Sequence, residues 1–155
     1  MILSSSAFGP GEPIPARHTC EGADVSPALE WADVPSGTQS FALVVDDPDA
    51  PAGVWTHWTL WNLAADVRTL ADAAHIPPGE GAGVEGKNSW GGIGWRGPCP
   101  PWGVHRYRFR LRALDRMLDL RQVAAAEALE AAVNGHVLAT ALLEGTYQRE
   151  APDRR

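Results

Sequence analysis

His105-Arg106-Tyr107-Arg108-Phe109-Arg110-Leu111-Arg112-Ala113 is the stretch whose reading decides the fold class. Its period is two: Tyr107, Phe109, Leu111 and Ala113 fall on one face and the four arginines on the other. A strand of this kind has one face for a core and one for water or ion pairs, as antiparallel sheets do. Four arginines on a strand face would also suit a nucleic-acid surface. The chain's formal net charge of −6 argues against that reading. Acidic partners on neighbouring strands are expected instead.

Working outward, the same strand signature recurs. Phe41 to Val45 is an apolar run of strand length, cut off by Asp46-Asp47-Pro48-Asp49-Ala50-Pro51. Val54 to Leu63 is aromatic-rich, and Ala28 to Trp31 is a shorter apolar piece between turn signals. Residues 75 to 103 form a long excursion with Gly or Pro at almost every third position. One segment, about Leu120 to Asn134, reads as helix, with Asn134-Gly135 as its C-cap. His136 to Tyr147 reads as strand, or as a short helix and then strand, and the charged tail from Arg149 is expected to fray. With 16 Gly and 13 Pro scattered through 155 residues, coiled coils and helical bundles are excluded. The length predicts a single domain over residues 1–155. Its class is mainly β.

No apolar run reaches the 18 to 20 or so residues of a membrane-spanning helix. Met1 to Gly11 lacks the features of a secretory signal, so the cytoplasm is the expected location. Cys20 and Cys99 are too few for a disulfide scaffold and have no C-x-x-C spacing. Reduced, buried thiols are expected in that compartment, although a bridge depends on geometry that spacing does not reveal.

Several chemical motifs fail on context. Gly92-Ile93-Gly94-Trp95-Arg96-Gly97 has the dinucleotide-binding spacing, but Pro98-Cys99-Pro100-Pro101 follows where a helix must start. There is no phosphate-binding loop ending in Gly-Lys-Ser/Thr and no Ser in a G-x-S-x-G setting. The Asp46 to Asp49 cluster reads as turn chemistry before it reads as a hard-cation site. His57, between aromatic neighbours, has an ordinary structural reading; His105 stands at a loop-to-strand junction, where sites are often placed. A zinc site would need both histidines and a carboxylate to converge without a short ligand pair, so neither metal nor cofactor is expected.

The joint arrangement carries more than its parts. Asp47-Pro48-Asp49-Ala50-Pro51, then His57-Trp58, then Gly97-Pro98-Cys99-Pro100-Pro101-Trp102-Gly103-Val104-His105-Arg106-Tyr107 resembles the phosphatidylethanolamine-binding protein family, which includes the Raf kinase inhibitor proteins. Thr19-Cys20-Glu21-Gly22, Ser26-Pro27, Ala113-Leu114-Asp115, Gly135-His136 and Gly145-Thr146-Tyr147 are similar to the bacterial branch. The likeness runs from about Phe8 to Arg149.

The resemblance implies a two-sheet antiparallel β-sandwich with a Greek-key element and a C-terminal helix. It also implies a pocket for a phosphate-type anion, either a phospholipid headgroup or a phosphorylated group. Carried over by position, the ligand-binding residues are Asp47, His57, His105 and Tyr107, with Pro51, Gly97 and Pro101 shaping the walls. Trp90, Trp95 and Trp102 are candidates for the pocket rim or for packing the loop, and a cis peptide is plausible in the Pro-containing loops. The short Trp102-Gly103-Val104 loop sets the chain apart from animal members, and Trp95 stands where many bacterial relatives carry tyrosine. The expectation is a non-enzymatic binding protein, open to homodimer formation and to a protein partner such as a kinase or protease. A hydrolase or phosphotransferase using His57 and His105 as acid and base is the alternative.

Overall fold

The computed structural model describes residues 1–76 and 83–150. Pro77 to Ala82, part of the predicted excursion, and the end of the tail from Ala151 lie outside the described residues. Eight strands form two antiparallel sheets: β1 (Ile2–Ser4), β2 (Leu29–Ala32), β3 (Ser40–Asp47), β4 (Trp55–Ala64), β5 (Thr69–Leu70), β6 (Val84–Glu85), β7 (His105–Leu114) and β8 (Val137–Tyr147). The small sheet has the order β1-β2-β5 and the large one β6-β4-β3-β7-β8. Within the large sheet β7 returns beside β3 after β4 and β6 have been laid on the other side, which is the Greek-key arrangement.

The Phe41 to Val45 run is apolar throughout because both faces of β3 are covered. All eight residues of β3 are buried. Phe41, Leu43 and Val45 face the core between the sheets, with Leu3, Leu29, Trp31, Phe109 and Leu111. Ala42 and Val44 face a second cluster with Trp61, Leu114, Leu118, Leu129 and Val133, beneath the helix α1 (Ala126–Val133). Burying that apolar surface drives the two layers together, at roughly 25 cal/mol per Å² removed from water.

The alternation in β7 is realised as read: His105, Tyr107, Phe109, Leu111 and Ala113 are buried, and the arginines alternate with them. Each arginine has an acidic partner. Arg106 pairs with Asp49, Arg108 and Arg110 share the buried Asp46, and Arg112 meets Glu130 on α1. The arginine row is therefore neutralised within the fold.

Three expectations are corrected. The helix covers only Ala126–Val133, not Leu120 onward. The side chain of Asn62 binds both the backbone N–H and the carbonyl of Leu118, at 2.7 and 2.8 Å, which pins the approach, and Ala125 is extended. Cys20 and Cys99 are joined in a disulfide across 79 residues. Their Cα atoms are 5.5 Å apart, within ordinary bridging distance, because Cys20 N–H donates to the Pro98 carbonyl and lays the two loops side by side. No cis peptide occurs among the described residues. His136 to Tyr147 resolves as strand β8, entered through the left-handed Gly135 (φ +82°).

Candidate functional site

At one end of the large sheet a cavity of about 280 Å³ opens between the turn after β3, the start of β4 and the loop before β7. Its polar floor comes from Asp47, His57, His105 and Tyr107. Pro51, Pro100, Pro101, Trp55 and Trp90 form most of the wall. Each element delivers its residue for a local reason. Pro48 stops β3 just after Asp47, so this carboxylate sits at the strand's end instead of in the ladder. His105 and Tyr107 share the inward face of β7 through the period of two.

His57 arrives differently. Val45 pairs with Trp58 and Asp46 with Thr56, so His57 is the extra residue of a β-bulge. A bulge re-aims a side chain beside a site. The backbone of Arg96 brackets it: Arg96 N–H donates to the His57 carbonyl at 3.2 Å, and His57 Nδ1–H donates to the Arg96 carbonyl at 2.6 Å. The ring also stands edge-on to Tyr107 and Trp90, with centroids 5.3 and 5.0 Å away. The Arg96 guanidinium lies 4.6 Å from the Trp90 ring centroid and completes the stack.

The two histidines have different partners. His105 Nδ1 lies 2.6 Å from Asp47 Oδ2, and the other Asp47 oxygen accepts the Asp49 N–H at 2.8 Å. Each Asp47 oxygen therefore has a partner, one of them the His105 ring. Burial lowers the His57 pKa below the ordinary histidine value, opposed first by its bond to the Arg96 carbonyl and then by the Asp47 charge. Burial, then the nearby Asp47 charge, raises the Tyr107 pKa well above that of a free phenol, so the group stays protonated. That hydroxyl is buried with no hydrogen-bond partner of acceptable geometry, Asp47 included. A buried polar group without a partner is uncommon enough to need a reason.

Six of the seven residues predicted for the site meet at this cavity. Gly97 does not line it. The Gly97 N–H donates to Asp24 Oδ1 at 2.8 Å, and a Cβ there would stand 2.0 Å from the His18 carbonyl oxygen. Its role is close packing behind the wall. Of the three rim candidates only Trp90 lines the cavity. Trp95 packs against Trp58 and Phe109 and donates to the His18 carbonyl, and Trp102 points to solvent. Trp55 was missed as a wall residue, although strand alternation places it on the His57 side. Cys99 was missed too, since nothing in its spacing points there.

Asp49 serves the turn and β7: it accepts from the Arg106 backbone and side chain, and Arg106 holds its carboxyl down at about 2. No group of three or more metal-ligating side chains occurs among the described residues. The remaining histidines are engaged elsewhere, His18 with the Val25 carbonyl, His75 with Glu85 and His136 with Asp115.

The profile of the family described as phosphatidylethanolamine-binding protein matches residues 4–148. The chain belongs to the phosphatidylethanolamine-binding protein family. Among its relatives, a UPF0098 protein of Methanothermobacter thermautotrophicus is 48% identical, covering 96% of this chain and 99% of that one. A solved phosphatidylethanolamine-binding protein homologue from Chlamydia trachomatis superposes with a TM-score of 0.89 at 42% identity, covering 96% and 97% of the two chains. The structure of Escherichia coli YbcL, described as a member of the mammalian family, gives 0.88 at 34%, covering 96% and 98%. The relatives include archaeal as well as bacterial proteins, so the likeness is not confined to the bacterial branch. The phosphatidylethanolamine-binding protein fold thus accounts for the whole sandwich. No helix among the described residues is long and apolar enough to cross a membrane.

Proposed function

We propose that this is a non-enzymatic binding protein whose pocket takes a phosphate-type anion, as a phospholipid headgroup or a phosphorylated group. Occupancy of the pocket would modulate a partner protein such as a kinase or protease. One observation carries the reading. His57, His105 and Tyr107 line a single cavity, and no hydrogen bond to another described residue engages either Nε2 or the Tyr107 hydroxyl. Unspent hydrogen-bonding capacity at an enclosed site favours a polar ligand of matching size. The wall of Pro51, Pro100, Pro101, Trp55 and Trp90 is largely apolar, and polar contacts made beside it are stronger than in bulk water.

Titration with inorganic phosphate and O-phosphorylethanolamine, followed through histidine NMR shifts, tests this. Movement of the His57 and His105 signals, lost in His57→Ala and His105→Ala, is the expected result. Neither signal responding to either anion sinks the proposal.

The Asp47–His105 pair favours a second reading, an acid/base centre for hydrolysis or transfer of a phosphoryl group. Cys99 is the wall's one thiol-bearing residue type, and its sulfur is bonded to Cys20, so it is no nucleophile while the bridge stands. Turnover of a phosphoester panel that disappears in His105→Ala would promote this reading over the first.

A further inference from the structure

The stretch of cavity wall between Pro98 and His105 is held mainly by side chains. Pro98, Pro100 and Pro101 have no N–H, and the N–H groups of Cys99, Trp102, Gly103 and Val104 meet no acceptor among the described residues. No ladder fixes the segment until β7 begins. Its upstream end is pinned to the loop before β2. Cys20 N–H donates to the Pro98 carbonyl at 3.1 Å, Gly97 N–H to Asp24 Oδ1 at 2.8 Å, and the Trp95 indole to the His18 carbonyl at 3.2 Å. Beyond Pro98 two side-chain anchors remain. Arg149 donates to the Pro100 and Pro101 carbonyls at 2.7 and 3.2 Å, and Cys99 is bonded to Cys20.

The two ends of the bridge differ. Cys20 sits in a well-tied loop: the hydroxyl of Thr19 donates to the Ala16 carbonyl, and Glu21 accepts from the Tyr147 hydroxyl and the Glu150 N–H. Cys99 sits in the loosely held wall and lines the cavity. The bridge therefore fastens a weak segment to a firm post. Both cysteines are exposed, although Thr19, Pro98 and Pro100 beside them are buried. Exposed disulfides are the ones that thiols reach and open. Neither cysteine belongs to the apolar clusters that join the sheets, so opening the bridge leaves the core packed.

We infer that the Cys20–Cys99 bridge is a reversible redox site through which dithiol reductants loosen the cavity wall and lower the affinity of the pocket. The affinity half rests on the anion-pocket reading above; the state of the wall does not. In the reaction a thiolate of the dithiol attacks one sulfur, and the Cys20–Cys99 bond breaks as a mixed disulfide forms. The second thiol of the reductant then displaces the protein sulfur. The bridge gains two electrons and two protons and becomes two thiols, and the dithiol becomes a cyclic disulfide. Once released, Cys99 to Val104 samples further arrangements, and apparent affinity falls with the fraction of wall in the binding arrangement. The bonds of His57 to Arg96 and of His105 to Asp47 lie outside the released segment, so the loss is partial.

The full chain, equilibrated under native conditions with mixtures of reduced and oxidised dithiothreitol, tests the inference. Maleimide labelling counts thiols, indole and imidazole NMR signals report on the wall, and calorimetry with inorganic phosphate reads affinity. Two thiols should appear while circular dichroism stays native, and the Trp90, Trp102 and His105 signals should move. Phosphate affinity should fall about fivefold or more, and oxidised dithiothreitol should restore it. A bridge that opens only when the fold is lost, or a reduced native chain with unchanged phosphate affinity, overturns the inference and leaves the anion pocket standing. If the oxidised chain binds no phosphate, the anion reading fails instead, and wall signals that stay in place on reduction overturn this one. Cys20→Ser should show the reduced signals without reductant and ignore dithiothreitol. A response as large as the parent's in that variant overturns the assignment to the bridge.

Discussion

Asp47, the last residue of β3, holds His105, the first residue of β7, through a 2.6 Å bond from Nδ1 to Oδ2. The pair spans two neighbouring strands at their site end and fixes which ring nitrogen faces the cavity. A carboxylate acting on a histidine in this way holds the ring in one orientation.

Asp47→Asn should therefore weaken inorganic phosphate binding more than it weakens the fold. The amide can donate to Nδ1, which in the neutral ring moves the proton to Nε2 and reverses the tautomer that the carboxylate holds. A loss of about tenfold or more in affinity is expected by calorimetry. Undiminished affinity in the folded variant would mean that His105 needs no orienting partner.

Arg106→Gln tests the turn that presents Asp47. Arg106 lowers the Asp49 carboxyl to about 2, below its ordinary value. A depressed carboxylate stabilises the fold above its unfolded pKa, near 4, and the contribution disappears as pH falls through about 2. The urea midpoint of the variant should fall below that of the parent between pH 5 and 7, and the two should converge toward pH 2. A gap that widens on acidification contradicts the assignment.

Gly97→Ala should destabilise without any direct contact to ligand. The added carbon would stand 2.0 Å from the His18 carbonyl and 2.6 Å from Asp24 Oδ1, so backbone must move. A cost of about 1–3 kcal/mol in urea unfolding is expected for such overpacking. A neutral substitution would show that the loop has freedom the packing does not suggest.

Replacing both cysteines with serine should lower stability by about 2–4 kcal/mol, since the bridge closes a loop of 79 residues. Cys99 also lines the cavity beside Pro100 and Pro101, and Arg149 donates to both of those proline carbonyls. The wall is thus tied from two sides. Phosphate binding should weaken in the serine variant and fall further when Arg149→Ala is added. Equal affinity in all three proteins would show that neither tie shapes the pocket.

Much of the fold was readable because strands leave local marks. The alternation of His105 to Ala113 named both faces of β7, and the apolar run at Phe41 to Val45 reported a strand covered twice. The helix start was not readable: Leu120 to Ala125 have good helical composition, but a distant side chain, Asn62, sets the path of the chain before them. The bulge at His57 was also hidden, since a skipped pairing depends on the partner strand and not on the residues either side.

By itself the sequence determined the β class and the two-faced strands, which follow from period and turn chemistry, properties of neighbours along the chain. The family came from the joint motif arrangement, and six of the cavity's lining residues were named only through that resemblance. Only the tertiary structure decided that Cys20 meets Cys99, that Gly97 packs behind the wall, and that Nδ1 of both His57 and His105 is bonded within the fold. Each of those depends on groups dozens of residues apart being brought within bonding distance. Spacing along a chain says nothing about such distances until the sheets have packed.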